Sequence, residues 1–306
     1  MNYNFEAAYA DSFRRINEKG VLSHNRTGID TKAVQHQYFY LPSVNNNFPI
    51  LRGKKVYPKM ALKELLWMMM GRTDVQWLHD HKVTYWDEWV MEDGTIGRAY
   101  GYQYRNFNGV DQLQELIKSM AFNPTSRRHI LSLWNCNDLD KMALPPCLYD
   151  YHFSCVPIDE FEYRIDMHAR ARSNDSFLGV PYDFMFCAWF VNLLAIYLNN
   201  FAGSKNTYTV GDIHYTADDY HMYVNHEEAV KQYLANVDED KEHVVSMNSS
   251  VCYINQDIFN NETINNIDDF LNVIEKNLST KNISVINQYN PISGFEYGNI
   301  KADIAV

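Results

Sequence analysis

Cysteine is scarce in this chain and is not spaced for cross-links. The 306 residues include five cysteines, an odd number, and no pair has C-x-x-C spacing. Disulfide frameworks and structural zinc sites usually need even or closely spaced sets of cysteines. We therefore expect reduced thiols, as in a cytoplasmic protein, at Cys136, Cys147, Cys155, Cys187 and Cys252.

Positive charge is in deficit. Lysine and arginine total 27 against 38 aspartate and glutamate residues, which gives a formal net charge of −11 at pH 7. A protein that coats nucleic acid needs a basic surface, so we expect no nucleic-acid partner. The charge does not exclude a small anionic ligand held by a local cluster of arginines.

No stretch of the sequence predicts a membrane span or a signal segment. The longest apolar run, 184–198, is interrupted by Asn192 and is shorter than the ~20 residues that span a bilayer. The N-terminal residues are polar and amphipathic. We expect no membrane partner, a cytoplasmic location, and a buried core helix at 183–199.

Apolar residues recur with both helical and strand periods along the chain. The pattern predicts helices at 4–18, 58–71, 111–120, 183–199, 217–234 and 268–278. It predicts strands at 31–41, 129–134, 148–156, 161–170, 207–214 and 282–288. The strands 148–156 and 161–170 alternate with period two and should pair antiparallel.

Helices and strands do not alternate strictly, which favours the α+β class over α/β. No linker or repeat divides residues 1–306. We therefore expect one domain, with a mixed and mainly antiparallel sheet around a buried central helix.

A dense polar cluster directly precedes the predicted core helix. The stretch 169–183, ARARSNDSFLGVPYD, contains Arg172, Ser173, Asn174 and Asp175 in succession. A further carboxylate, Asp183, stands at the edge of the apolar run. Unpaired buried polar groups cost free energy, so we interpret the cluster as a place that holds a polar ligand.

Two prolines directly precede Cys147 in 143–149, ALPPCLY. A structural cysteine would more often lie in a plain apolar run. Nearby arginines favour the thiolate, which is the nucleophilic form, and they can bind phosphate bidentately. Candidates for that role are Arg172 and the adjacent Arg127 and Arg128. A nucleophilic thiol beside a phosphate site is one interpretation, and a structural cysteine is the other.

Three further patterns have both a structural and a functional interpretation. Glu64 is a lone carboxylate in the apolar helix 58–71 and lies either on its solvated face or in a site. The segment 85–89, YWDEW, is either a packed aromatic cluster or a wall for a flat ligand. The basic segment 52–55, RGKK, is expected to be a solvated loop.

A series of segments, in order along the chain, resembles the thymidylate synthase family, which includes the deoxycytidylate hydroxymethylases. They are NRTG at 25–28, KELLW at 63–67, TYWDEW at 84–89, YG at 100–101, SRR at 126–128, MALPPC at 142–147, RSNDSFLGVPYD at 172–183, HMYVNH at 221–226 and IKADIAV at 300–306. The resemblance implies a thymidylate-synthase-like α+β fold. It also implies a homodimer that binds a nucleoside monophosphate and 5,10-methylenetetrahydrofolate, with no metal.

The resemblance also implies roles for single residues. Cys147 would attack pyrimidine C6, Glu64 would order waters and proton transfers, and Tyr100 would assist removal of the C5 proton. The phosphate would be held by Arg26, Arg172 and Ser173, together with Arg127 and Arg128 contributed across the dimer interface. The sugar would be bound by His221 and Tyr223, and the folate by Trp86, Trp89, Asp175, Gly179 and Val306.

Asp183 departs from the family pattern, in which a uracil enzyme has asparagine at this position. An amide complements the N3–H donor and O4 acceptor of uracil. Cytosine reverses that pattern, and a carboxyl group fits it by donating to N3 and accepting from the 4-amino group. A carboxylate with a protonated N3 would also fit. Asp183 therefore favours dCMP over dUMP, and deoxycytidylate hydroxymethylases are similar in having aspartate here. A chance replacement in an enzyme that still uses uracil is the alternative.

Two outcomes are open for the one-carbon unit, because hydride would make a methyl group and water a hydroxymethyl group. Leu148 and Ala171 differ from the histidine and glutamine common in the synthases, which suggests a remodelled water network around the base. Asp183, Leu148 and a longer segment at 198–223 resemble the hydroxymethylase branch, whereas the Pro-Pro-Cys motif, Trp86 and the Ile-Ala-Val tail are synthase-like. We expect 5-hydroxymethyl-dCMP, with dCMP methylation and then dUMP methylation as alternatives. The source would be phage-like, with the enzyme in the host cytoplasm.

A non-catalytic nucleotide- or folate-binding protein is a remote alternative. Pure binding does not need a thiol, a buried acid and a tyrosine together, which argues against it. A zinc enzyme is disfavoured because Cys147, His221 and His226 do not match a ligand spacing that we trust.

Overall fold

The computed structural model describes residues 4–239 and 250–287, together with Ile300 and Ala302. Eight α-helices lie within these residues. They are α1 (Phe5–Lys19), α2 (Pro58–Met69), α3 (Val75–Asp80), α4 (Gly101–Arg105), α5 (Gln112–Phe122), α6 (Gly179–Asn200), α7 (Glu227–Glu239) and α8 (Ile267–Asn277).

The strands form a large sheet and a small one. They are β1 (Val21–Ser23), β2 (Thr31–Leu41), β3 (Ile130–Ser132), β4 (Leu148–Pro157), β5 (Glu162–Asp175), β6 (Thr207–Tyr223), β7 (Ser250–Ile254) and β8 (Ile283–Asn287). The large sheet has the order β1-β2-β6-β5-β4-β3, and β7 pairs with β8. Only the β5–β6 pair of the described strands is parallel. The prediction of an α+β fold with a mixed, mainly antiparallel sheet is confirmed.

Helix α6 is the centre of the core. Apolar residues surround it on nearly all sides, and a helix of that kind must be buried. This helix of 22 residues is long and apolar enough, by length and composition alone, to cross a membrane, but most of it is buried inside the protein. The predicted buried helix is confirmed, although it begins at Gly179 rather than at residue 183.

The prediction of a helix at 217–234 is wrong in its first part. Residues 207–223 form one long strand, β6, and α7 begins only at Glu227. Strand β6 lies between β2 and β5 and hydrogen-bonds to both. This pairing outweighs the local preference of a segment such as Ala217–Asp219. Strand β5 likewise runs on to Asp175, so the predicted polar cluster begins on a strand.

The predicted hairpin of β4 and β5 is confirmed. Cys155 lies opposite Ile165, and the pairing continues to Leu148 opposite Ala171. The residues of β5 that face α6 are buried, as Ile165, Met167 and Ala169 show. The hairpin register therefore brings the start of β4 next to the end of β5.

Candidate active site

Most of the predicted site residues meet at one edge of the large sheet. Strands β5 and β6 are parallel, so their carboxyl ends lie side by side, and Asp175 pairs with His221 there. Cys147 directly precedes β4, and its carbonyl accepts a 2.9 Å hydrogen bond from the Arg172 backbone N–H. Asp183 lies near the start of α6 at the same edge.

The segment before Cys147 is held by Arg172. The guanidinium donates from Nε to the Pro146 carbonyl and from Nη2 to the Pro145 carbonyl, both at 2.9 Å. It also lies 5.4 Å from the ring centroid of Trp134. The proline rings fix the backbone φ at both positions. The two prolines and Arg172 thus fix the position of the thiol.

Burial raises the pKa of the Cys147 thiol, although the positive charges of Arg172 and Arg26 lower it in part. The predicted direction of the arginine effect is therefore right, but desolvation is larger in the protein without substrate. The nearby carboxyl of Asp183 adds to the rise in pKa. The thiol must lose its proton when it reacts, and the arginines reduce the free-energy cost of the thiolate.

Tyr100 is buried against Cys147, and its hydroxyl accepts a 2.8 Å hydrogen bond from the Cys147 backbone N–H. Its φ of 33° lies in a region that non-glycine residues rarely adopt. The neighbouring Gly101 has no room for a side chain, since a Cβ would stand 2.2 Å from the Arg72 carbonyl oxygen. Burial raises the pKa of Tyr100 well above its usual range, so the hydroxyl is neutral.

Glu64 does not lie on a solvated face of α2. Its two oxygens accept 2.8 Å hydrogen bonds from the Tyr85 hydroxyl and the Trp86 indole N–H. Desolvation raises the pKa of Glu64, and these two donors oppose the rise. Its charge acts on Asp183 and Tyr100. Of the two interpretations from the sequence, the structure favours a carboxylate within the site region.

Asp183 is held by two donors. Oδ2 accepts from Asn174 Nδ2 at 2.7 Å and from the Tyr215 hydroxyl at 2.8 Å. Burial raises the pKa of Asp183 to about 7, and the charges of Glu64 and Asp175 add to the rise. The carboxyl group can therefore be protonated or ionised at neutral pH.

The predicted phosphate ligands are brought together only in part. Arg172 and Ser173 lie half-buried on β5, and Arg26 is exposed in the loop between β1 and β2. Arg127 and Arg128 are exposed ahead of β3. No hydrogen bond or ion pair joins them to Cys147 or Arg172 within the described chain, and their action across a dimer stays a prediction.

The predicted sugar ligands lie at the end of β6. His221 Nδ1 is 2.7 Å from Asp219 Oδ1, and its ring meets Tyr223 edge-on at 5.2 Å. When Nδ1–H donates to Asp219, the other ring nitrogen is left to face a ligand. The burial of Tyr223 raises its pKa, so it is a neutral hydroxyl.

The two tryptophans that were predicted to bind the folate lie beside Glu64. Trp86 and Trp89 pack edge-on with ring centroids 5.7 Å apart. The Trp89 indole N–H is buried without a partner among the described residues. Trp86 is buried and also packs against Trp67 and Tyr100, whereas Trp89 is partly exposed. Binding of the flat folate ring by these two residues stays a prediction.

Asp175 and Gly179 lie at the turn that leads into α6. Asp175 Oδ1 accepts the backbone N–H groups of Phe177 and Leu178 at 2.9 and 3.1 Å. A Cβ at Gly179 would meet its nearest neighbour at 3.6 Å, which is an ordinary contact, so packing alone does not require glycine there. Val306, predicted to close the site, lies outside the described residues.

Sequence reasoning missed two residues at this site, Lys54 and Tyr215, and the role of a third, Asn174. Lys54 was expected in a solvated loop, but it is buried, donates to the Phe177 carbonyl and lies 3.7 Å from the Phe177 ring centroid. Burial lowers the pKa of Lys54 to about 8, against the charge of Asp175. Asn174 and Tyr215 bind Asp183, and nothing in their sequence spacing indicates it.

A family model described as thymidylate synthase matches residues 7–270. The match covers the large sheet, α6 and every predicted site residue except Val306. Among the described residues, no three side chains of histidine, cysteine, aspartate or glutamate come together as a metal site would need.

Proposed function

Because this chain belongs to the thymidylate synthase family, we propose that it converts dCMP to 5-hydroxymethyl-dCMP. The family gives the reaction class, which is the folate-dependent transfer of a one-carbon unit to C5 of a pyrimidine nucleotide. The choice of dCMP and of the hydroxymethyl product is the proposal. A cytoplasmic location, in the host cell if the source is viral, belongs to it as well.

The proposal is carried by one observation, the partly buried carboxyl group of Asp183. Cytosine presents an acceptor at N3 and a donor at its 4-amino group. A protonated carboxyl matches both, because it donates through O–H and accepts through C=O. A pKa of about 7 keeps that proton present in the neutral range. An ionised Asp183 would instead oppose the O4 lone pairs of uracil.

Cys147 begins the reaction by forming a bond to C6. Its addition makes C5 electron-rich, which splits one difficult step into two easier ones. Arg172 orients the thiol through the carbonyls of Pro145 and Pro146. When bound, the folate supplies the one-carbon unit that C5 takes up. Trp86 and Trp89 would hold its flat ring.

Tyr100 and Glu64 are placed for the proton movements that follow. The C5 proton needs a positioned base, and the Tyr100 hydroxyl stands next to Cys147. Glu64 can hold water or a proton, since burial raises its pKa. Loss of the C5 proton breaks the bond between the one-carbon unit and the folate, which departs, and leaves a methylene group on C5. Water adds to this methylene group, and departure of the Cys147 thiolate from C6 restores the ring and releases the hydroxymethyl product.

Three features favour water over hydride. The chain is similar to the hydroxymethylase branch in Asp183, in the buried Leu148 and in the longer segment at 198–223. Methylation of dCMP remains the second candidate, since Trp86 and the Pro-Pro-Cys segment are synthase-like, and methylation of dUMP is the third. A non-catalytic binding protein is the remote one.

The product decides between these candidates. The protein is incubated with methylenetetrahydrofolate and dCMP, CMP and dUMP together, and the products are identified by mass spectrometry. Absorbance of dihydrofolate is followed in parallel, because it appears only when hydride is transferred. We expect 5-hydroxymethyl-dCMP without dihydrofolate. Dihydrofolate formed with dCMP would overturn hydroxymethylation, and Cys147→Ala is the inactive control.

Asp183→Asn tests the choice of base separately. An amide can present its oxygen to N3–H and its nitrogen to O4, so we expect the ratio of kcat/KM for dCMP to that for dUMP to fall by about tenfold or more. A variant that keeps the full preference for dCMP would show that Asp183 does not read the base.

A further inference from the structure

Two buried side chains bind the same oxygen of Asp183. Asn174, on β5, is 3% exposed, and Tyr215, on the adjacent strand β6, is fully buried. Asn174 Nδ2 and the Tyr215 hydroxyl both donate to Oδ2, at 2.7 and 2.8 Å. No hydrogen bond to Oδ1 is found in the part of the chain that the structure describes. We name Asn174 and Tyr215 the Oδ2 clamp.

The clamp distinguishes the two oxygens of a neutral carboxyl group. Such a group has one carbonyl oxygen, which accepts, and one hydroxyl oxygen, which donates. Two donors aimed at Oδ2 favour it as the carbonyl oxygen, because the hydroxyl oxygen of a neutral acid is the donor and the weaker acceptor. The acid proton is therefore held on Oδ1.

The position of that proton matters for the choice of base. A neutral carboxyl whose proton could sit on either oxygen would fit both pyrimidines. It could donate to N3 of cytosine and accept from the 4-amino group, or donate to O4 of uracil and accept from N3–H. For a side chain in one orientation, these two arrangements need the proton on opposite oxygens. An aspartate alone is thus not sufficient to select cytosine.

We propose that Asn174 and Tyr215 are positioning residues that set base specificity through Asp183, by fixing the acid proton on the oxygen that donates to N3 of cytosine. This inference rests on the proposed use of dCMP and assigns Oδ1 to N3. It makes specificity a property of three residues on three elements, namely β5, β6 and α6.

Other titratable groups act on Asp183 in the opposite sense to the clamp. They lie on α2, on β5, between α3 and α4, directly ahead of β4, and on α6 itself. The groups whose charge couples to Asp183 are Glu64, Asp175, Tyr85, Tyr100, Cys147 and Cys187. Burial and negative neighbours raise the pKa of Asp183, whereas the two donors lower it by stabilising the anion. Removal of a donor should therefore raise this pKa further.

Tyr215→Phe removes one donor with little change of shape, and Asn174→Ala removes the other. Binding of dCMP and dUMP to the full chain is measured by titration calorimetry across the neutral pH range. We expect each variant to lower the ratio of the dissociation constant of dUMP to that of dCMP by about tenfold, which means a weaker preference for dCMP. A tenfold change is the size of one lost hydrogen bond to an acid group. We also expect the pH at which dCMP binding weakens to move upward.

Tyr220→Phe is the matched control. It removes another buried hydroxyl from β6, but that hydroxyl is 2.7 Å from Ser12 Oγ and not at Asp183. We expect it to leave the ratio and the pH profile unchanged. If Tyr215 had a purely structural role, Tyr215→Phe would weaken the binding of dCMP and dUMP equally and would leave the pH profile unchanged.

The outcomes separate the two proposals. If the wild type prefers dCMP and Tyr215→Phe changes neither the ratio nor the pH profile, the clamp is overturned while the proposed function stands. If the wild type prefers dUMP, the proposed function and the assignment of Oδ1 to N3 are both overturned. A lower ratio with an upward shift of the pH profile supports the clamp.

Discussion

Asp183 lies between two hydrogen-bond donors and a group of side chains that can carry negative charge. The donors, Asn174 and Tyr215, stabilise its ionised form, whereas burial and the charge of Glu64 disfavour it. Desolvation is the largest effect, and the pKa comes to about 7. The protonation of one side chain therefore changes within the range of pH in which an enzyme of this family would work.

We expect the preference for dCMP over dUMP to fall as the pH rises through about 7. The pKa of this acid is raised, so its proton is present below that pH and lost above it. Binding of cytosine takes up that proton, and the affinity for dCMP should fall by up to about tenfold per pH unit. Titration calorimetry with both nucleotides checks this, because titration of the phosphate affects both alike. A flat ratio across neutral pH would contradict it.

Single residues differ in how far the sequence can reveal them. Cys147, Arg172 and Asp183 were predictable because each stands in a pattern that a plain core segment does not need. Tyr215 is one of 22 tyrosines, and it reaches Asp183 only because β6 packs against α6. Lys54 could not be placed, because its burial depends on Phe177, far away in the chain. Long-range packing of this kind has no local signature.

Among the elements, β6 is the clearest case in which sequence periodicity fails to predict where a strand ends. Its first residues alternate as an edge or half-buried strand does, and the prediction ended the strand at residue 214. The strand continues to Tyr223 because β2 and β5 hydrogen-bond to it on both sides. That extension carries His221 and Tyr223 to the site. By contrast, α6 and the β4–β5 hairpin were predictable from apolar runs and alternation alone.

The short helix α4 holds Tyr100 in place, and Gly101 is its sensitive position. We expect Gly101→Ala to lower the free energy of unfolding by about 1–3 kcal/mol, because the new Cβ collides with the Arg72 carbonyl. We expect kcat to fall by about tenfold or more, since Tyr100 moves away from Cys147. Chemical denaturation and steady-state kinetics measure the two effects.

Gly109→Ala is the control for a loss of stability without damage to the site. Gly109 has a φ of +89° and open space around its Cα, so alanine there introduces backbone strain but no collision. We expect lower stability and unchanged kcat. Equal losses of kcat in both variants would show that the position of Tyr100 is not what matters.

At the scale of the whole molecule, the proposed phosphate site is incomplete in one chain. Arg127 and Arg128 are exposed and make no bond to Arg172 or Cys147 within the described residues. The resemblance predicts that they act in the partner subunit of a homodimer. In a cyclic dimer with two such shared sites, Arg127 and Arg128 of each chain would lie in the site of the other chain.

We expect Arg127→Ala and Cys147→Ala to complement each other. Each variant alone should have little activity. Mixed dimers would contain one site with both an intact thiol and an intact arginine, so mixing after reversible dissociation should restore about a quarter of the wild-type activity. Mixing of Cys147→Ala with Cys147→Ser is the control. No recovery would mean that Arg127 acts on the thiol of its own chain or not at all.

The carboxyl of Asp183, set near the start of the core helix, also makes the folding free energy depend on pH. Its pKa is about 7 in the folded chain against 3.8 as an ordinary value, so the folded state holds more protons between these values. Stability should therefore fall as the pH rises through this range, with the loss complete above about 7.

Asp183→Asn removes this titration. We expect its free energy of unfolding, measured by chemical denaturation, to exceed that of the wild type at neutral and alkaline pH by an amount on the order of 1–2 kcal/mol after allowance for solvent, and to approach it in acid. Binding of dCMP takes up the same proton, so dCMP should stabilise the wild type fully below about pH 7 and progressively less as the pH rises. The substrate would then act as a folding ligand whose effect is smallest at the pH at which the free protein is weakest.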